Sequence, residues 1–429
     1  MIPPIYITGA GVVSAIGIGQ AATLEALKTG TTGIAPMRYL DSRHSELPVG
    51  EVKHSNSELA ALLGASDDIR LTRTALLGRL ALREALLQAG LITPENISLS
   101  SLLSPLSSSP SPLSHVPFVS ATTVGGMDRR EAFYAAESHT DRQHALIATH
   151  HSGNSTAMIA EPFGPFASLA TVSTACSSAT NALISAVNIL RCGLADIVVA
   201  GGAECLTKFH LNGFNTLMIL DSEPCRPFDR DRAGLNLGEG AAYLVLETES
   251  SLRLRAAKPL ARLSGYGNAC DAFHQTASSP DGDGAYLAMQ QALTTAGLKP
   301  EDIDYINAHG TGTPNNDLSE SRAIRRLFSP HIPPVSSTKS FTGHTTSASG
   351  AIEAVFCLLA MQHQFLPQNL NFRTPMDEGI VPVPPLSSHL SPPSSPLSSL
   401  LSPLKPLTHV LSNAFGFGGN DSSIIFSKC

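Results

Sequence analysis

Val172-Ser173-Thr174-Ala175-Cys176-Ser177-Ser178 is the stretch that decides the fold, because its pattern occurs twice. A short β-prone run leads into a turn with a reactive group. A helix follows, with apolar residues at 179, 182, 183, 186, 187 and 190. Val335-Ser336-Ser337-Thr338-Lys339 repeats the plan. It passes through Gly343-His344-Thr345-Thr346-Ser347-Ala348-Ser349-Gly350 into a helix with apolar residues at 351, 352, 355, 356 and 359. Small residues open both helices and predict that the two pack closely. The economical reading is a duplicated unit, with residues 1–255 forming one half and 256–429 the other.

Outward from these units, short apolar runs alternate with helical stretches. Residues 5–8, 116–120, 195–200, 242–246, 303–306 and 408–412 are predicted strands. Residues 71–89 are a predicted helix closed by Gly90. Apolar runs without alternation suit parallel strands buried on both faces, which predicts an α/β architecture. Gly9-Ala10-Gly11 reads as a turn after the first strand. Its spacing to Gly17 and Gly19 does not fit G-x-G-x-x-G, which argues against a dinucleotide loop.

Two tracts stand apart. Residues 98–114 are only Ser, Leu and Pro, and residues 384–404 are the same apart from His389. The octet Leu-Ser-Ser-Leu-Leu-Ser-Pro-Leu occurs in both, at 99–106 and 397–404. Repeated prolines forbid regular helix or a central strand, so both read as low-complexity surface loops. Each immediately precedes a predicted strand, which raises the question whether that strand forms.

Composition removes several function classes. Net charge is −7 with no basic stripe, which argues against a nucleic-acid partner. Seven cysteines at irregular spacing, with no C-x-x-C pair, argue against a disulfide framework or a structural zinc. A reducing, cytoplasmic setting is the simplest expectation. No run of about 18 apolar residues is present, so no membrane span is expected. The first 19 residues lack a basic leader and do not read as a signal peptide.

Four segments carry chemistry. Cys176 sits among small residues at a predicted helix start, where free N–H groups favour a thiolate. His309, in Asn307-Ala308-His309-Gly310-Thr311-Gly312-Thr313-Pro314, follows a strand end, where α/β crevices open. Lys339 precedes His344 by five residues, and a cation beside an imidazole keeps it neutral. Asn413-Ala414-Phe415-Gly416-Phe417-Gly418-Gly419-Asn420 suits a tight turn whose N–H groups point at a ligand. Singly, each has a bland alternative: an inert buried thiol, a loop histidine, a solvated lysine, a plain turn.

Together and in this order the four segments resemble the β-ketoacyl synthases of the elongating Cys-His-His type. The resemblance spans nearly the whole chain outside the two tracts. Gly201-Gly202-Ala203-Glu204, Arg226-Pro227-Phe228-Asp229 and Gly238-Glu239-Gly240-Ala241 extend it. It implies a thiolase-like five-layer αβαβα fold of two duplicated halves. It also implies a decarboxylative Claisen condensation between a Cys-bound acyl chain and malonyl carried on acyl carrier protein.

By the same resemblance, Cys176 takes the acyl chain, His309 and His344 bind the malonyl thioester carbonyl, and Lys339 keeps His344 in register. Backbone N–H groups of Cys176 and Phe417 form the oxyanion hole, with Phe417 and Phe415 at the gate. Thr311 and Thr313 contact the phosphopantetheine arm, and Val124 and Phe214 line the acyl pocket. Asp271 and Phe273 lie in a loop moving with the gate, and Glu353 and Asp317 support the site. No metal or organic cofactor is implied. The partners implied are acyl carrier protein and a second identical subunit, with Arg70, Arg73, Arg129, Arg130 and Lys208 as candidate docking cations.

Three rivals are weighed by residue. Thiolases carry a second Cys in the C-terminal Gly-rich loop, and residues 415–419 contain none. Chain-initiating synthases place Asn where His344 stands. Non-catalytic chain-length factors lose the active Cys, which is present here.

Overall fold

The computed structural model of the protein describes residues 3–429 apart from 66–67, 69, 94–110, 137–139, 386–402 and 404. The Ser/Leu/Pro tracts therefore lie outside the described residues, save 111–114, 384–385 and 403. The strands that follow them both form.

Among the described residues the strands are β1 (Ile5–Ser14), β2 (Gly17–Ile18), β3 (Pro117–Ala121), β4 (Ser168–Val172), β5 (Ile197–Glu204), β6 (Gly240–Thr248), β7 (Ala261–Cys270), β8 (Tyr305–Asn307), β9 (Val335–Ser336), β10 (His409–Gly416) and β11 (Asn420–Ser427). They join in the order β4-β3-β5-β6-β1-β7-β11-β10-β8-β9, with β2 a short ribbon on β1. Setting β2 aside, each half reads third-second-fourth-fifth-first from its outer edge to the middle. The directions also match. β3 is parallel to β4 and β5, as β8 is to β9 and β10. β6 and β11 run antiparallel to both of their neighbours. Among the described residues only Ile5–Ile7 against Ala261–Leu263 joins the halves strand to strand.

The sheet is thus mixed, where the apolar runs predicted parallel strands. Residues 242–246 are antiparallel on both sides. Helices cover both faces of β6, so its side chains lose the alternation that would have marked an antiparallel strand.

Helix α1 (Arg73–Gln88) packs on β1, β5 and β6. Helix α2 (Ser178–Arg191) lies on β3 and β5. Helix α3 (Asp283–Ala296) covers β7 and β11, with α4 (Pro314–Phe328) beside it. Helix α5 (Ser349–His363) touches α2, β6 and β10. The layers are therefore α1, the first half of the sheet, the α2–α5 pair, the second half, and α3 with α4. The largest apolar cluster is the middle one, combining both sheet halves with α2 and α5.

The close helix crossing expected from small residues is present. A Cβ on Gly350 of α5 would fall on Thr180 of α2. Gly9 and Gly11 do not form a turn. They lie within β1, and a Cβ at either would overlap the Ala85 or Ala81 carbonyl of α1. Gly265 and Gly267 of β7 meet Ala292 and Ala288 of α3 in the same way. These glycines let a helix lie against a strand, and they repeat between the halves.

Candidate active site

The two turns that opened the sequence reading meet at the centre. β4 ends at Val172, and Ala175 takes φ +53°, a left-handed conformation that costs a non-glycine residue about 1–2 kcal/mol. That kink turns Cys176 inward, and α2 begins two residues later, at Ser178. The turn is held by Ser178 Oγ, which donates to the Ala175 carbonyl at 2.6 Å and accepts from Thr174 N–H at 2.8 Å. The end of β10 presses on it, since a Cβ on Gly416 would stand 3.1 Å from Cys176 N.

His344 arrives from the other half. Lys339 opens a four-residue helix, and Gly343 at φ +69° turns the chain. His344 N–H donates to the Asn236 carbonyl at 2.7 Å, and the His344 carbonyl accepts from Gly238 N–H at 2.9 Å. A first-half segment thus grips a second-half histidine. His344 Nε2 lies 3.0 Å from Cys176 Sγ. The His309 ring stands edge-on to it, with centroids 5.3 Å apart at 84°. Phe415 backs His309 at 5.7 Å.

Both histidines are about 98% buried, and both are held well below the ordinary imidazole value. Burial is the first cause and the Lys339 charge the second. The neutral ring expected from Lys339 is present, although desolvation contributes more to it than the cation does. Each ring keeps a buried Nδ1 with no partner among the described residues. Lys339 is not a solvated surface lysine. It is 1% exposed, with Nζ 2.6 Å from Glu353 Oε1 on α5.

The thiol departs from expectation. Burial pushes Cys176 up to about 11, although the Lys339 charge and a hydrogen bond from the Phe417 backbone N–H both oppose this. A helix start alone does not ionise it, because α2 begins beyond Cys176 and the residue is only 5% exposed. The proton acceptor within reach is His344.

Around this centre the remaining candidates take definite places. Thr311 and Thr313 share a hydroxyl contact of 2.9 Å on the His309 loop. Asp317 of α4 accepts from Phe228 N–H at 2.7 Å and Gly312 N–H at 3.1 Å, so it braces that loop. Phe214 stacks on Phe417 at 5.7 Å and 23°. Val124 is buried, its N–H 3.3 Å from Glu204 Oε1. Asp271 accepts from Ser279 N–H at 2.6 Å, and Phe273 is exposed. Of the docking cations, Arg73 must be withdrawn. It is buried, with Nη2 2.6 Å from Glu239 Oε1 and its Nε donating to the same carboxylate. Arg70 and Lys208 pair with Asp68 and Asp41 at the surface, and Arg129 and Arg130 are half-buried.

Sequence reasoning missed two buried acids. Glu320 of α4 accepts from His309 N–H at 2.9 Å, Gly310 N–H at 2.8 Å and Asn413 Nδ2 at 3.0 Å. Burial lifts its carboxyl to about 7. Asp317 and Glu320 are one helical turn apart, and that i,i+3 spacing beside the His309 loop was a readable signal. Glu204 accepts from Thr122 and Thr123 hydroxyls, Thr123 N–H and Ser347 Oγ, joining the pocket wall to the His344 loop.

Comparison with known proteins gives a consistent picture. Residues 3–251 match the family described as Beta-ketoacyl synthase, N-terminal domain, and residues 260–373 match Beta-ketoacyl synthase, C-terminal domain. The chain is similar to a 3-oxoacyl-[acyl-carrier-protein] synthase 2 of Staphylococcus aureus, 30% identical across 99% of this chain and 98% of that one. Among solved structures it is similar to the ishigamide ketosynthase/chain length factor, with TM-score 0.85, 28% identity and full coverage of both chains. A ketosynthase in complex with its chain length factor from Xenorhabdus doucetiae gives TM-score 0.77 and 29% identity over 100% of this chain and 98% of that one.

Proposed function

The chain belongs to the β-ketoacyl synthase family and is a condensing 3-oxoacyl-[acyl-carrier-protein] synthase of fatty-acid or polyketide synthesis, and from that premise we propose how its residues divide the reaction. The carrying observation is His344 Nε2 at 3.0 Å from Cys176 Sγ, with His309 beside it and both rings neutral.

In the proposed sequence, the Cys176 thiol passes its proton toward His344 as sulfur attacks an acyl thioester. The carrier's C–S bond breaks, His344 hands the proton to the departing sulfur so that the carrier leaves as a thiol, and the acyl chain remains on Cys176. Phe417 N–H and Cys176 N–H receive the developing oxyanion. Malonyl thioester then binds with its carbonyl oxygen facing His309 and His344. Loss of CO2 leaves an enolate, and neutral imidazole N–H groups stabilise it without giving up a proton early. The enolate carbon attacks the Cys176 thioester, a carbon–carbon bond forms, the C–S bond breaks, and the Cys176 thiolate so released takes up a proton from water to restore the thiol. Decarboxylation supplies the carbanion, so the scheme draws on no metal or organic cofactor. The Lys339–Glu353 pair fixes the turn and the field that keep His344 neutral. Thr311 and Thr313 meet the pantetheine arm, while Val124, Phe214, Phe415 and Phe417 shape the acyl entrance.

We also propose a homodimer. β4 is the outer strand of the first half of the sheet, and Ser168, Leu169 and Ala170 on it are exposed, with Leu169 46% accessible. A flat apolar edge strand invites pairing unless it is covered. Leu169→Lys is expected to halve the native mass in solution, and an unchanged mass would remove β4 from the interface. Acyl carrier protein is the proposed partner at the site mouth, and the cytoplasm the proposed compartment. Among the described residues no helix is long and apolar enough to cross a membrane.

The test is intact mass after incubation with fatty-acyl carrier protein. One acyl adduct is expected, absent in Cys176→Ala. An adduct that survives Cys176→Ala would end the nucleophile assignment.

A further inference from the structure

The turn Phe417–Gly419 presents the backbone N–H that faces Cys176, and segment 270–279 holds it. Asp271 N–H donates to the Gly419 carbonyl at 2.9 Å, and Gly418 N–H donates to the Gln275 carbonyl at 2.8 Å. The Cys270 thiol reaches the Gly418 carbonyl at 3.7 Å. Beneath this seam Asp271 and Asp421 both crowd Gly284, near the start of α3. A Cβ on Gly284 would stand 2.9 Å from Asp271 Cβ and closer still to Asp421 Oδ2. Asp271 Oδ2 is satisfied by Ser279 N–H, but its Oδ1 is buried with no partner among the described residues. Asp421, on β11, is 4% exposed.

We propose that Asp421 is a positioning residue: it carries one proton for the Asp271–Asp421 carboxyl pair, and through segment 270–279 that pair fixes the Phe417 N–H over Cys176. Two neighbouring carboxylates, Asp421 buried and Asp271 half-buried, do not both ionise at modest cost, and a protonated carboxyl supplies a donor for Asp271 Oδ1. An acceptor left bare in the interior costs about 1–3 kcal/mol, so the shared proton has a clear energetic reason. Burial pushes Asp421 up to about 8, with Asp271 and then Glu320 of α4 adding to it. The other charged groups nearby are engaged elsewhere or exposed. Asp283 of α3 pairs with Arg326 at 2.8 Å, Asp317 of α4 lies 3.6 Å from Arg232, and His274 is on the exposed part of the segment.

The sign follows from linkage. In an opened segment the carboxyl returns to about 4, and in the closed one it holds its proton to about 8. The clamp is therefore complete below about pH 4. It weakens by up to about tenfold per pH unit above that, and stops changing once pH passes about 8.

Amide hydrogen exchange on the full-length protein tests this, with rates corrected for intrinsic pH dependence. Protection of 271–279 and 417–419 is expected to fall at least tenfold from pH 6 to pH 8 and then level. Asp421→Asn keeps the size and a donor without titrating, and should flatten that profile. In acylation of Cys176 the same variant should lose the matching pH dependence in the transfer rate, with KM for the acyl donor unmoved. A flat wild-type exchange profile overturns the proposal, as does a variant that runs parallel to wild type. The kinetic arm rests on the proposed role of Cys176, whereas the exchange arm does not, so the two readings fail separately.

Discussion

The two halves share a strand order, strand directions and a pair of helix-docking glycines, yet their central turns are built from opposite materials. The first-half turn, 173–178, is small and neutral, and it places Cys176 by backbone strain at Ala175. The second-half turn, 337–347, is built over a buried ion pair, Lys339–Glu353, and it places His344 by charge and hydrogen bonds. Duplication supplied the frame twice. The chemistry came from making one copy a nucleophile and the other the field that acts on it.

The largest test of that contrast is Lys339→Met. It leaves Glu353 charged, buried and alone, a loss of about 3–5 kcal/mol, read by urea unfolding. Lys339→Met with Glu353→Leu should recover most of the stability and none of the malonyl decarboxylation. Recovery of decarboxylation would show that the ion pair is scaffolding only. Next come Gly11→Ala and Gly267→Ala, equivalent positions in the two halves. Each added methyl meets a helix carbonyl, and each should cost about 1–3 kcal/mol. Costs differing by more than about 2 kcal/mol would mean that the halves are not packed alike.

The histidines sharpen the comparison through pH. Folding holds His309 and His344 well below 6.5, so the unfolded chain takes up protons that the folded one refuses. Their neutral forms therefore lower stability as pH drops below 6.5, by about 1–2 kcal/mol over the first unit. His309→Asn with His344→Asn should reduce that slope in unfolding experiments at pH 6.5 and 5.5. The smallest effect belongs to the first-half turn. Ala175→Gly relieves φ +53° and gives back chain entropy in the unfolded state, so the net gain stays under about 1 kcal/mol in thermal unfolding.

Much of this was legible in the chain. The repeated strand–turn–helix pattern, the four chemical segments and the helix over 71–89 all carry local periodicity or a turn signal, and they stand where they were read. Strand direction was not legible, because β6 is covered on both faces and loses the period that marks an antiparallel strand. The Gly9–Gly11 run looked like a turn because glycine marks turns and close packing with the same letter. Glu204 was overlooked because its partners are hydroxyls and a backbone N–H, which leave no spacing rule in the sequence, whereas Glu320 was marked only by its i,i+3 spacing from Asp317. Arg73 looked like a surface cation because its partner Glu239 lies 166 positions away.

The grip of each half on the other also sets an order in time. Every strand of the first half has been synthesised by residue 248, and Cys176 with it. The acceptor for its proton comes at residue 344, and the N–H that faces its sulfur comes at residue 417. A chain still being made, or one cut short before residue 344, carries the thiol without the histidine and the N–H that act on it. Reactivity comes later in synthesis than the thiol that carries it.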